Sequence, residues 1–513
     1  MNSKISSISF VSITKTPRFN NKAVDLPVAA LRESKIITNP HYFHGKFNVD
    51  QMFSSILTKN SEVVAVNITV HNYKESLDLC ERLKVANKIT IGFGEFATQF
   101  YSDIFSLSNA VDIMLLGDPE LPLISLINNG MEISRESAFF CHVATRNEQS
   151  LKEPYWNKSF VFPVFDYFEQ FNRRQNTRKE YLLQTKNAVC NGKCVFCRSR
   201  KGHMLYRDIK DVFLEIEHAH KLYGIKKFFF TDEDIFDGPE SFSKSRIREL
   251  CELIINSRYI LALKCYMKAS TLSSSNQQDI ELLKKMSQAG VVVVFVGIES
   301  GSSDDLILYQ KGTTVDQNNE TIRLLRSQGI FVQIGFLSFN PFSKRNTLSE
   351  NFFFLKKNSI DNLFMWIGYV RVFKHTKIYE LAKNSGLLNE SIYSYIDYSS
   401  LYSIKDPEVN KIFDFVINKM YPRVYSLDYD FDWLYSFYLD VMRITPNASI
   451  HSVRLNQIKS DQLERISIFF EKLYVEFNLE YCNNQVDSFL SRFEEDQIEL
   501  SKIYMSLVEM YIA

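Results

Sequence analysis

From Ile8 to Val372 short apolar runs alternate with amphipathic stretches, and this alternation constrains the chain more than any other feature. Strand followed by helix, repeated, folds as parallel sheet covered by helices. In the first region Ile8–Ile13, Val63–Val70, Ile89–Phe93 and Val111–Leu116 read as strands, separated by helical segments such as Lys74–Leu83. The pattern predicts an α/β fold whose N-terminal part is a doubly wound, Rossmann-like parallel sheet. Ligands of such a sheet sit at the carboxyl ends of its strands, here the loops Lys15–Asn21, Thr69–Tyr73, Gly92–Thr98 and Gly117–Glu120.

A polar, charge-mixed stretch at Asn172–Lys179 reads as a linker. Strands are then expected near Gln184–Val189, Lys226–Phe230, Ile260–Tyr266, Val291–Val296, Phe331–Leu337 and Leu363–Val372. Six such units predict a partial (β/α)6 or fuller barrel with its chemistry at the C-terminal strand ends. From Leu401 the pattern turns helical and rich in Tyr and Phe, as in Leu427–Met442 and Leu463–Phe477, with no matching series of strands. Those aromatic stripes read as packing surface. The expected domains are residues 1–170, 171–400 and 401–513.

With 45% hydrophobic residues in 513, the chain can bury more than one core. Its 60 basic and 60 acidic residues cancel, which disfavours a polynucleotide or an anionic membrane as partner. The longest apolar run, Val291–Ile298, falls far short of the roughly 18–20 residues of a spanning helix. Serines interrupt the apolar stretch after Lys4, so that stretch reads as a first strand rather than a secretory signal. Of 8 cysteines, five are scattered, unlike a disulfide framework, and a reducing cytoplasm is expected.

The other three carry the chemistry. Ala188–Arg198 reads A-V-C-N-G-K-C-V-F-C-R, with Cys190, Cys194 and Cys197 on a loop that Gly192 keeps flexible. Thiolates select zinc, copper(I) or iron-sulfur clusters, and three protein ligands leave a coordination position open. A closed zinc site completed by His203 is the alternative.

Cys190, Cys194, Phe196 and Cys197 match the C-x3-C-x2-C signature, aromatic before the last cysteine, of the radical S-adenosylmethionine (SAM) superfamily, which the segment Tyr181–Leu388 resembles. The resemblance implies a 4Fe-4S cluster on the three cysteines, chelated by SAM and able to cleave it to a 5'-deoxyadenosyl radical. It also implies SAM contacts at Thr231, Asp232 and Glu233 after the second strand, at Lys268 after the third, and at Glu299 in Gly297-Ile298-Glu299-Ser300-Gly301 after the fourth. Where relatives carry a Gly-Pro-Gly turn, this chain has Phe339-Asn340-Pro341-Phe342-Ser343, read as a loop specialised for substrate.

Val24–Leu31, Ile91–Thr98 and Val111–Glu120 resemble the cobalamin-binding domain that precedes the core in the B12-dependent subgroup. That likeness implies cobalamin contacts at Thr69, Asn72, Gly92, Gly94 and Gly117. The D-x-H-x-x-G motif, which supplies a lower cobalt ligand in many cobalamin proteins, is absent, and His41 and His44 lie too far downstream to replace it. The family suggests methyl transfer to an unactivated carbon of a natural product or peptide, with an electron donor such as flavodoxin or ferredoxin. Cyclisation, rearrangement, epimerisation or oxidation without methyl transfer is the second enzymatic reading, and a zinc-stabilised binding protein the third. Cys265 and tyrosines of the barrel are candidates in principle for relaying the radical.

Overall fold

The computed structural model describes residues 5, 7–14, 22–44, 48–69, 71–133, 137–147, 180–187, 189–198, 203–374, 376–393, 399–427 and 431–512. The expected linker Asn172–Lys179 and the loop Lys15–Asn21 lie outside them. The chain divides into two compact units, one of Met1–Leu182, Lys186–Val189 and Gly202–Arg207, the other of Leu183–Thr185, Cys190–Lys201 and Asp208–Ala513. Among the described residues no helix is long and apolar enough to cross a membrane.

The first unit runs β1 (Ser7–Thr14), α1 (Lys22–Glu33), β2 (Ile37–His44), α2 (Val49–Leu57), β3 (Val63–Asn67), α3 (Tyr73–Val85), β4 (Ile89–Phe93), α4 (Glu95–Leu107), β5 (Ile113–Leu115), α5 (Glu120–Asn128) and β6 (Val143–Thr145). Its sheet has the order β2-β1-β3-β4-β5-β6, parallel except that β6 runs against β5. Every residue of β3 is buried, as a central parallel strand requires. The order in which strands are added reverses between β1 and β3, the kind of switch point at whose carboxyl ends such sheets bind ligands. The edge strand β2 escapes a sequence reading because Pro40 interrupts it. Proline is tolerated at an edge, where its missing N–H needs no partner.

The second unit contains β7 (Tyr181–Leu183, which begins at the boundary), α6 (Ile209–Tyr223), β8 (Lys227–Phe230), α7 (Glu240–Ser257), β9 (Ala262–Lys268), α8 (Gln277–Ala289), β10 (Val291–Glu299), α9 (Ser303–Leu308), α10 (Val315–Ser327), β11 (Phe331–Phe336) and α11 (Arg345–Lys357). The sheet order is β11-β10-β9-β8-β7, each strand beside its sequence neighbour, as in a partial barrel. Side-chain caps start several helices: Asp208 accepts from the Lys210 N–H, Asn276 from that of Gln278, and Thr314 forms a capping box with Gln317.

The sixth expected strand is not formed. Leu363–Ile367 is helix α12, capped by Asn362, and only a single parallel bridge, Phe339 to Tyr369, continues the barrel. Leu363, Trp366 and Ile367 are buried at helical spacing, and in so short an apolar run periodicity does not separate strand from helix. Then come β12 (Val372–Phe373), α13 (Lys377–Asn384), β13 (Leu388–Tyr393) and β14 (Ser399–Tyr402), which make a small sheet of order β12-β14-β13. Helices α14 (Pro407–Phe415), α15 (Tyr421–Tyr425), α16 (Phe431–Ile444), α17 (Ser452–Tyr474) and α18 (Leu479–Ile512) finish the unit. Helix α16 packs on β9 and β10, where Lys264 pairs with Asp440 at 3.1 Å and Arg443 donates to the Gln288 carbonyl at 2.9 Å.

Candidate active site

The cysteine loop is pinned at its centre. The Val195 N–H donates to the Tyr309 carbonyl at 3.0 Å, and the Val195 carbonyl accepts from the Ile378 N–H at 3.1 Å. Phe196 packs edge-to-face on Tyr309 with centroids 5.2 Å apart, and the Arg198 guanidinium lies 4.7 Å over Phe373. Cys190 is buried, Cys194 half-buried and Cys197 exposed. The Gly192 N–H points to Cys190 Sγ at 3.2 Å. A methyl group at Gly192 would stand 3.2 Å from that sulfur and 3.9 Å from Cys194 Sγ, so the glycine keeps the space between two thiols open.

Two lysines flank these thiols. Both thiols are pushed up by burial, which outweighs the downward pull of Lys268 on Cys190 and of Lys311 on Cys194. Cationic neighbours favour the thiolate that metal ligation needs. Among the described residues no three His, Cys, Asp or Glu side chains are gathered closely enough to hold a metal ion, and this applies to the three loop cysteines with or without His203. Three thiols spaced along one loop, graded from buried to exposed and with lysines beside two of them, suit a multi-iron cluster with one corner left for another ligand.

Lys311 has no signal in the sequence linking it to the cysteines; its partner there is Glu299, which stands at a backbone irregularity. Register with β11 shifts between Gly297 and Glu299, and Glu299 takes a left-handed φ of 67°. Its Oε1 accepts from Lys311 Nζ at 2.8 Å, with both side chains largely buried. A methyl group on Gly297 would lie 2.7 Å from each of those atoms, so the glycine of the Gly-Ile-Glu run makes room for the ion pair.

The other expected SAM contacts differ among themselves. Lys268 reaches the cysteine loop, but its ammonium pairs with Asp237 and lies 3.7 Å from Asp234. Thr231 donates through both its N–H and its hydroxyl to the Leu183 carbonyl, at 2.8 and 3.1 Å. Asp232 is wholly buried, and its carboxylate accepts from the Thr185 N–H at 3.0 and 3.1 Å and from the Thr185 hydroxyl at 3.3 Å, which ties the chain after β7 to the end of β8. Glu233 is exposed. Cys265 is buried on the face of β9 opposite Lys268, and burial drives its thiol pKa far up. Tyr266 shares the face that carries Lys268 and stacks between Phe229 (5.0 Å) and Phe295 (5.3 Å).

In the first unit Asn72 is engaged by its own loop. Its amide donates to the Ile13 and Asn67 carbonyls at 2.9 and 3.1 Å, and its oxygen accepts from the Thr69 N–H at 2.7 Å and the Ser76 hydroxyl at 3.1 Å. With all four capacities used, it staples the ends of β1 and β3 and has nothing left for a corrin amide. Gly92 serves packing, since a methyl group there would strike Met114 Sδ at 2.5 Å. Gly94 and Gly117 have φ of 109° and 95° at the carboxyl edge, and Thr98 joins them, donating to the Gly94 carbonyl at 2.8 Å and accepting from the Gly117 N–H at 2.9 Å. Thr69 stands half-buried beside them. His41 is held neutral by burial, its pKa lowered to about 4.

Residues 187–342 match the family model for the radical SAM superfamily, so this central segment is a radical SAM domain. Such a domain implies a 4Fe-4S cluster and SAM. Among curated proteins it is similar to 4'-phospho-dehydrooxetanocin synthase of Priestia megaterium, 28% identical over 195 residues, or 35% of this chain and 26% of that one. It is also similar to the anaerobic magnesium-protoporphyrin IX monomethyl ester cyclase of Rubrivivax gelatinosus, 28% identical over 332 residues, or 59% of this chain and 55% of that one. The chain thus spans between about a quarter and about half the length of these relatives. In fold it is similar to the cobalamin-dependent SAM radical enzyme OxsB with aqua-cobalamin bound, at a TM-score of 0.73 and 14% identity, over 99% of this chain and 80% of that one.

Proposed function

We propose that this chain is a cobalamin-binding radical SAM enzyme that removes hydrogen from an unactivated carbon of a small-molecule or peptide substrate. The observation that carries the reading is the cysteine loop lodged between two lysines at the carboxyl ends of the barrel strands. Cluster and SAM, once bound, supply the 5'-deoxyadenosyl radical after one electron arrives from a carrier such as flavodoxin or ferredoxin.

Cys190, Cys194 and Cys197 hold the iron. The Lys311–Glu299 pair offers an ammonium and a carboxylate that match, in reverse, the carboxylate and ammonium of SAM's amino-acid end, while Lys268 is neutralised by Asp234 and Asp237 and favours the Cys190 thiolate. Phe229, Tyr266 and Phe295 give the same face an apolar floor that keeps water from a reactive intermediate. The open edge near Gly94 and Gly117, together with the fold likeness, supports cobalamin in the first unit, held by backbone and small side chains.

The relatives matched by sequence are a synthase and cyclases, which favours ring-forming or rearranging chemistry. Carbon methylation is the second reading, favoured by the cobalamin-type sheet. Protein reconstituted anaerobically with iron, sulfide and hydroxocobalamin tests both. Four irons, bound cobalt and 5'-deoxyadenosine from SAM after reduction support the proposal. With SAM carrying a deuterated methyl group, S-adenosylhomocysteine together with label on cobalamin marks methylation, and 5'-deoxyadenosine alone marks the first reading. Iron-loaded protein that leaves SAM intact overturns both.

A further inference from the structure

Behind the Glu299 loop lies a polar network that the chemistry above leaves unused. Asp305 is 3% exposed and accepts from Asn340 Nδ2 at 2.9 Å and the Ser300 hydroxyl at 3.1 Å. Asn351 Oδ1 accepts from the Gly301 N–H at 2.7 Å and the Ser300 hydroxyl at 2.8 Å. Asn340 Nδ2 also donates to the Tyr309 hydroxyl at 3.0 Å, and its Oδ1 accepts from the Phe342 N–H at 2.8 Å. Asn340 and Tyr309 are both fully buried. The Phe339–Ser343 loop, which departs from the family turn and reads as substrate-specific in the sequence, therefore turns its central polar side chain into the protein.

Tyr309 is where this network meets the cysteines. Its ring packs on Phe196, its carbonyl takes the Val195 N–H, and its hydroxyl is fixed by Asn340. A buried donor or acceptor deprived of its partner costs about 1–3 kcal/mol, so this arrangement resists loosening at any one point.

We propose that Tyr309 and Asn340 are positioning residues that hold the cysteine loop and the Glu299 loop in one frame. The proposal rests on the assignment of the three cysteines as cluster ligands, and it adds residues that touch neither iron nor SAM. Tyr309→Phe and Asn340→Ala break the same hydrogen bond while leaving the ring on Phe196. Asn340→Ala also strips partners from Asp305 and the Phe342 N–H, so both variants are expected to alter the same observables, Asn340→Ala the more, and Tyr309→Phe to add little on top of it.

The experiment has two arms. In apo protein, alkylation of Cys194 by iodoacetamide, followed by mass spectrometry, speeds up by about fivefold in either variant as the loop loosens. In reconstituted protein, the reduced cluster's electron paramagnetic resonance signal and its shift on adding SAM both change, while far-ultraviolet circular dichroism stays that of the parent. Parent alkylation rates in both variants overturn the proposal, as do parent spectra and a parent SAM-induced shift in folded, iron-loaded Tyr309→Phe. Should the parent take up no iron, the cluster assignment fails, and the apo arm still decides whether the network fixes the loop.

Discussion

At Gly297 the space an alanine methyl would need is taken by Glu299 Oε1 and Lys311 Nζ. Gly297→Ala must therefore push the ion pair away from β10, and we expect SAM affinity of the iron-loaded protein, measured by calorimetry, to fall about tenfold, or about 1.4 kcal/mol. Gly224→Ala is the control: nothing lies within 4 Å of its would-be methyl, yet its φ of 66° disfavours any side chain. It should cost about 1 kcal/mol of stability and leave SAM affinity unchanged. Asp305 supplies a prediction in pH. Burial raises its carboxyl from 3.8 to about 6. Between those values the folded chain keeps a proton that the unfolded chain has released, so this contribution is complete below about pH 4 and is lost as pH climbs through 6, amounting to about 2–3 kcal/mol. Thermal melting of apo Asp305→Asn across pH 4–7 should lack the decline shown by the parent.

Among the elements, α16 tests how the helical segment supports the barrel. Asp440 is 1% exposed and stands 3.1 Å from Lys264 on β9. Removing one partner of a buried pair leaves the other charge without its counter-ion, so Asp440→Ala should destabilise the second unit by about 3 kcal/mol, read by denaturant unfolding. A Lys264→Met, Asp440→Leu double variant should recover most of that loss. This pairing is invisible in sequence, since 175 positions separate residues that only the tertiary fold joins. The same boundary governs what could be read in advance. Strands β1, β3, β4, β5, β8, β9, β10 and β11 are legible as continuous or alternating apolar runs, whereas the first barrel strand, expected over Gln184–Val189, lies just before that span at Tyr181–Leu183. β2 is not legible, because Pro40 and its polar neighbours hide an edge strand, and α12 was taken for a strand because its apolar residues are too few to set a period. At the site, the cysteines and Glu299 were legible as motifs with fixed spacing, whereas Lys311, Tyr309 and Asn340 are joined to it by contacts that only the fold makes. For Asn72 and Asp232 the sequence does not tell a ligand contact from a loop closure, because a polar residue after a strand reads the same in either role.

Over the whole molecule, each unit has a core of its own. One apolar cluster is drawn wholly from Ile5 to Val143, and another from Phe431 to Leu507. Cobalamin and iron loading should therefore be separable. Cys194→Ala is expected to lose most of its iron and all SAM cleavage while keeping cobalt at the parent's stoichiometry, measured by elemental analysis after gel filtration with hydroxocobalamin. The reverse change acts at the switch point between β1 and β3. Asn72→Ala strips partners from the Ile13 and Asn67 carbonyls and from the Thr69 N–H, each worth about 1 kcal/mol or more when left unsatisfied. The loop Thr69–Tyr73 should then open at the edge where the proposed corrin sits, and cobalt retention should fall severalfold while iron content and reductive SAM cleavage stay near the parent values. Loss of both metals together in either variant would mean that the units load as one, and the assignment of cobalamin to the first unit alone would have to be abandoned.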